Sequence, residues 1–384
     1  MNTFFLLNFT RFIAASMVVI YHGICLNQEV FPFATNFFKP FFIKGNFAVL
    51  YFFLLSGIIM SVSNDSKNIK AKQFYINRFA RIYPTYVLGI FLVLIFPFVS
   101  RFLDIINFDS QISIFGIVKL SLIEFFQIFK SNLKGIILNI FLIQAWTVKY
   151  FYSVSPQNWS LSVEIFFYFL FPIYFKYFCY YKKEKILFFS IFLFLSICFL
   201  RGYLMVYHFE IGTLIYDRPL GFLHIFIFGN GLGWWLKNTS SADWVYFRNI
   251  LCTFFFILLG MYLVKAQGFL GQTLILETVG FSLIIVSILT LKNLQLINLL
   301  KWKWSILLGN ISYSIYIFHS QIALYVSFIF KKYYFLESTL FYISFLIVLI
   351  FSFIHYQYIE IKATRYLKDK LTKFYYKKIT NETH

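Results

Sequence analysis

The sequence predicts an all-α fold: a polytopic transmembrane helical bundle of about ten spans, both termini cytoplasmic. Three observations predict it. Of the 384 residues 60% are hydrophobic and 13% charged, whereas a soluble domain is about 45 to 50% apolar and about 25% charged; such a chain cannot clothe its apolar surface in water. Apolar runs of the roughly 20 residues that cross a hydrocarbon core recur along its whole length. Basic residues gather in alternate connections between those runs. A soluble enzyme, a disordered regulator and a secreted disulfide scaffold are excluded. The net charge of +19 would suggest nucleic acid for a soluble chain; here it is read loop by loop, and no nucleic-acid partner is expected.

The runs place spans near 4–26, 41–63, 83–100, 160–181, 186–207, 217–236, 247–265, 272–291, 304–330 and 337–360. Lys and Arg in short loops stay on the cytoplasmic side. Lys67, Lys70, Lys72, Arg78 and Arg81 follow the second span, Lys176, Lys182, Lys183 and Lys185 the fourth, and Lys292, Lys301 and Lys303 the eighth; Lys237 and Arg248 fit the same side, and seven more run from Lys362 to Lys378. With this parity, 101–158 crosses the membrane either not at all or twice. Its run 112–129 contains Lys119 and Glu124, and its run 135–148 is short, so interfacial or re-entrant helices are expected; two further spans, making twelve, are the alternative. The first span does not read as a cleavable signal peptide, because Arg11 sits inside its apolar run. Residues 1–361 form one transmembrane domain and 362–384 a short basic cytoplasmic tail. Cys25, Cys179, Cys198 and Cys252 lack metal-ligand or CxxC spacing and read as small buried apolar residues; no metal is expected.

Ionisable residues inside spans are costly and therefore candidates for function. Arg11 and His22 lie eleven residues apart in RFIAASMVVIYH, three turns plus about 20°. One helix face thus presents a cation and, about 16 Å further along, an imidazole. A snorkelling arginine and an interfacial histidine would give the same spacing. In NWSLSVEIFFYFLFP, Glu164, Tyr168 and Pro172 share one stripe at i, i+4 and i+8; the carboxylate needs a partner, for chemistry or for structure alone. His319, in ISYSIYIFHSQI, falls just past mid-bilayer with Ser312 and Tyr316 on related turns, as catalyst or interhelical hydrogen-bonder. Arg78 and Arg81, three apart in FYINRFARIYPTY before Pro84, suit phosphates or anionic lipid headgroups. Arg201, His208, Asp217, Arg218 and His224 cluster near the outer ends of the fifth and sixth spans, where they could line a vestibule for a polar acceptor.

These residues also carry a resemblance. Arg11 to His22, FFLLSGI at 52–58, NRFARIYP at 77–84, WSLSVEIFFY at 159–168 and SYSIYIFH at 312–319 follow one another as in the acyltransferase-3 family of bacterial polytopic membrane O-acyltransferases, which the chain resembles over nearly its whole length. Three positions depart from that pattern: Asn77 stands for the first Arg of the basic strip, Ile58 for the aromatic after Ser56-Gly57, and Ile317 for a Leu.

The resemblance implies transfer of an acyl group, acetyl first among the choices, from cytoplasmic acyl-CoA to a hydroxyl of a cell-envelope glycan such as O-antigen lipopolysaccharide or capsule. The acceptor would be an envelope glycan or a lipid-linked saccharide, and the location the bacterial inner membrane. His22 would be general base, Glu164 would orient its ring, and Arg11 would serve both catalysis and donor binding. Arg78 and Arg81 would hold the phosphates of acetyl-CoA. Ser56, Trp159, Ser160, Tyr168, Tyr313 and His319 would shape the substrate cavity. An acyl-enzyme on His22 is an open variant. Two other classes stay open: a transporter or flippase of a lipid-linked sugar, using intramembrane Arg and His as relay groups, and an inactive membrane scaffold.

Overall fold

The computed structural model describes residues 7–26, 45, 47–64, 71–108, 129–130, 132–178, 181–208, 218–239, 274–290, 303–330 and 337–382. Among them every regular element is helical. The helices are α1 (Leu7–Leu26), α2 (Phe47–Ser63), α3 (Ala71–Phe108), α4 (Leu133–Ile140), α5 (Asn158–Phe178), α6 (Lys183–Tyr207), α7 (Pro219–Asn238), α8 (Ile275–Thr290), α9 (Lys303–Phe330), α10 (Glu337–His355) and α11 (Ile361–Glu382). A π-turn, Tyr356–Glu360, joins α10 to α11. Among the described residues, four stretches are long and apolar enough to cross a membrane: Ala71–Ser100, Lys183–Tyr207, Lys303–Phe330 and Thr339–Tyr375. Phe169, Ile173 and Tyr177 on α5 are exposed while Phe167, Phe171 and Phe175 are fully buried, so the helix is apolar on both faces, as a lipid-facing helix must be.

The expected spans overlie helices, except that 247–265 lies outside the described residues, as do 109–128, Lys67, Lys70, Cys179, Asp217, Arg248, Cys252, Lys292 and Lys301. Two boundaries differ. The third span was expected to start near Pro84, but α3 begins at Ala71 and contains both Pro84 and Pro97. A proline removes one helical hydrogen bond, a loss that membrane helices tolerate where neighbours satisfy the backbone. The last span was expected to end at 360; instead the chain stays helical through the π-turn to Glu382. In the stretch 101–158, α4 has eight residues, about 12 Å at 1.5 Å per residue and too short to cross. Gly135, Ile136 and Asn139 are buried, Leu133, Ile137 and Ile140 exposed, a pattern that suits the interfacial reading.

The chain divides into two compact units. The first comprises residues up to Tyr75 and Val163–Tyr313. In it α7 packs on α2 and α6, while α1 and α8 also pack on α2. Glycines make the α2–α7 contact: a Cβ at Gly57 would sit 2.4 Å from the Phe226 carbonyl oxygen, one at Gly229 2.4 Å from that of Leu54, and one at Gly233 2.6 Å from that of Ile58. Small residues let membrane helices approach backbone to backbone. Ser61 reinforces the contact by donating to Asn230 Oδ1 at 2.8 Å, and Asn230 donates to the Tyr174 hydroxyl at 2.7 Å.

The second unit comprises Ile76–Ser162 and residues from Ser314 onward. Buried amides organise it. Asn139, Gln144, Gln157 and Asn158 are at most 2% exposed. Tyr86 on α3 donates to the Asn139 carbonyl at 2.8 Å, Asn158 donates to Asn139 Oδ1 at 3.2 Å, and Gln144 donates to the Asn158 carbonyl at 2.8 Å. Gln157 reaches α9, donating to the Ile317 carbonyl at 2.8 Å and to Gln321 Oε1 at 3.1 Å. Buried polar groups must be partnered, and this network supplies the partners for an irregular segment that carries the start of α5.

Candidate active site

In the first unit the sequence motifs meet on a carboxylate. Gly57 draws α2 against α7, and its neighbour Ser56 donates to Glu164 Oε1 on α5 at 3.1 Å. Tyr168, one turn along α5, donates its hydroxyl to the same oxygen. Glu164 is half-buried and Tyr168 buried. Phe74 of α3 lies edge-on to Tyr168 and stacked on Phe171, which fixes the ring that holds the carboxylate. Two hydroxyl donors on one oxygen keep Glu164 as an acceptor in a defined rotamer. The i, i+4 stripe read from the sequence is therefore a real constellation, and it includes Ser56.

On α1, Arg11 and His22 are both half-buried. The His22 ring lies against Tyr21, centroids 5.3 Å apart. Thr10, beside Arg11, hydrogen-bonds the buried hydroxyl of Tyr51 on α2. Close packing of Gly309, whose Cβ would meet the Asn8 carbonyl oxygen at 2.3 Å, sets the start of α9 against α1. Tyr313, on α9, is half-buried.

The second unit holds the other expected residues. Arg78 is half-buried and Arg81 exposed on α3. Trp159 stacks on Phe151 at 5.5 Å. Ser160 is buried and bonded to the Tyr316 hydroxyl at 2.6 Å. His319, 3% exposed, binds the Tyr316 carbonyl oxygen through Nδ1 at 2.8 Å. A carbonyl only accepts, so the hydrogen is on Nδ1.

The expected vestibule is not what the described residues form. Arg201 is 7% and His224 0% exposed, the arginine over the Phe222 ring and the imidazole stacked on Phe194; only His208 is exposed and Arg218 half-buried. Long apolar side chains from α6 and α7 close over these groups. Cys198 is buried and free, as expected. Sequence reasoning missed three buried ionisable residues: Glu277 on α8, His355 at the end of α10 and Glu360 in the π-turn. An acid inside an apolar run was the available signal for Glu277.

Among the described residues every regular element is helical, and hydroxyl, carboxylate, imidazole and guanidinium groups are set into those helices, a pattern that suits a membrane protein. A family model described as an acyltransferase domain, Acyl_transf_3, matches residues 5–357. The chain belongs to the acyltransferase-3 family and is an acyltransferase. No curated protein and no solved structure matches it.

Proposed function

We propose that the protein transfers an acyl group, acetyl in the simplest case, from cytoplasmic acyl-CoA to a hydroxyl of a cell-envelope glycan, in the inner membrane of a bacterium. The observation that carries this reading is the Ser56–Glu164–Tyr168 constellation in a unit that also holds Arg11 and His22, within a chain whose family is acyltransferase. His22 takes the proton of the acceptor hydroxyl, the oxygen attacks the thioester carbonyl, and the carbon–sulfur bond breaks. The imidazolium then returns its proton to the leaving thiolate. An imidazole can both take up and return a proton, which suits the two transfers. Glu164, its Oε1 held by Ser56 and Tyr168, orients that ring and stabilises the imidazolium. Arg11, about 16 Å along the same helix, lines the path of the donor's pantetheine arm toward His22.

The residues suit an acyl-CoA donor. Its phosphates need cations, and Arg78 and Arg81, three apart on α3, are the pair assigned to them. Asn77 stands where the family pattern has a third cation, so donor affinity rests on two. Trp159, Ser160 and His319 of the second unit are assigned to acceptor binding, and Tyr313 of the first is a further candidate. The family supports transfer over the flippase reading.

The test uses membranes holding the protein, acetyl-labelled CoA and a mixture of envelope glycans. Label on a sugar with the wild type, and none with His22→Ala, is the expected result. Movement of a lipid-linked sugar without acyl incorporation would overturn the proposal.

A further inference from the structure

The second unit contains a buried group of three, of which the sequence motifs included only Ser314. Ser314 on α9 is 0% exposed, His355 at the end of α10 1% and Glu360 in the π-turn 7%. The Ser314 hydroxyl donates to Glu360 Oε2 at 2.7 Å and lies 3.0 Å from His355 Nδ1; the carboxylate oxygen is 3.7 Å from that nitrogen. A hydroxyl has one hydrogen, and here the carboxylate receives it. Its lone pair therefore accepts from His355, which puts a hydrogen on Nδ1.

The backbone is shaped to this arrangement. On a regular α-helix, residues five apart point about 140° away from each other, so His355 and Glu360 could not converge on one serine. The π-turn lengthens the repeat: the Ile361 amide donates to the Tyr356 carbonyl, a five-residue step that returns residue 360 to the side of residue 355. Such single π-turns are rare and concentrate at functional sites.

The remaining nitrogen, Nε2 of His355, is fully buried and has no hydrogen-bond partner. Around the ring, α9 supplies Ser314 and Phe318 (centroids 4.9 Å apart), the preceding turn supplies Phe351 at 6.4 Å, and the charged group in described contact with it is Glu360. With Nδ1 holding a hydrogen, Nε2 carries the lone pair. The Glu360 carboxylate, 3.7 Å from Nδ1, is the counter-charge that an imidazolium there would face.

We propose that Ser314, His355 and Glu360 form a proton-binding site inside the membrane-spanning part of the second unit, with Nε2 of His355 the atom that takes up the proton. Uptake converts a neutral imidazole and a carboxylate, joined through one hydroxyl, into an imidazolium–carboxylate pair joined the same way; no other bond changes. Neither Ser314 nor Glu360 carries a role in the proposed transfer chemistry, and Glu360 lies past the end of the family match at 357.

The chain has six histidines, few enough for nitrogen-15 NMR of the full-length protein in lipid, with His355→Gln assigning the signal. The wild type should show neutral His355 with its proton on Nδ1 and a second proton arriving at Nε2 on acidification. Glu360→Gln should lower the midpoint of that uptake by about one to three pH units, Glu360→Asp should restore most of the shift, and Ser314→Ala should release the tautomer preference. A wild-type ring protonated at Nε2 when neutral, or a midpoint that Glu360→Gln leaves in place, overturns the proposal. None of these readouts depends on acyl transfer, so the site stands or falls separately from the proposed reaction.

Discussion

Each unit of the molecule holds a carboxylate that takes a hydrogen from a serine on another helix, and the two are built differently. In the first unit, Glu164 receives Ser56 at 3.1 Å and shares its oxygen with Tyr168, four residues along the same α-helix. In the second, Glu360 receives Ser314 at 2.7 Å and faces His355, five residues back across a π-turn. Glu164 is half-buried and Glu360 almost fully buried. A carboxylate with access to the surroundings can meet substrate, whereas a sealed one can exchange little more than a proton. The half-buried pair is the one assigned to chemistry and the sealed one to proton binding.

Substitutions at the two carboxylates test that contrast. Glu164→Gln keeps the shape but loses the charge that the proposed mechanism sets beside His22. It should lower kcat about tenfold to a hundredfold with the protein still folded, since a hydrogen bond to a charged group is worth about 1.5 to 3 kcal/mol. Acyl transfer to glycan, measured at saturating donor, reads the effect; an unchanged kcat would remove Glu164 from the mechanism. Gly57→Ala forces a Cβ against the Phe226 carbonyl and should destabilise the first unit by about 1 to 3 kcal/mol. A lowered thermal midpoint in detergent would show it, and a midpoint equal to wild type would mean that the α2–α7 contact is looser than described. Arg81→Ala should raise the KM for acyl-CoA several-fold with kcat retained, because it removes one charge-assisted contact at an exposed position; a fall in kcat alone would contradict a donor-binding role. Smallest is Ser56→Ala, which removes one neutral donor from Glu164 while Tyr168 remains. A loss of about fivefold is expected, near 1 kcal/mol. A loss as large as that of Glu164→Gln would make Ser56 a participant and not a support.

The same contrast explains what the sequence disclosed. Glu164 and Tyr168 stand at i and i+4, the period of the helix that holds them, so their convergence could be read before any coordinates. Ser56 could not be joined to them from spacing, because the contact is between α2 and α5, a tertiary event. His355 and Glu360 are five apart, a spacing that the α-helical period places on different faces; only the π-turn brings them together. Glu360 also fell at the expected end of a span, where an acid looks like a boundary, yet the helix continues to Glu382. The span pattern was legible because a bilayer demands long apolar runs. The segment 132–162 was not, since its order comes from Asn139, Gln144, Gln157 and Asn158, amides on different short elements whose meeting no single helical period announces. Arg201 and His224 were read as lining an opening because polarity was visible and the covering Phe194 and Phe222 were not.

The central claim is that His22 moves the proton during acyl transfer to a surface glycan, and analysis of that glycan tests it most directly. Cells lacking the gene would be complemented with the wild type or with His22→Ala at matched protein level, and their surface polysaccharide examined for O-acyl esters by mass spectrometry before and after mild alkali. Alkali-labile acyl groups restored by the wild type and absent with His22→Ala are predicted. Equal acylation with the two versions would contradict the claim.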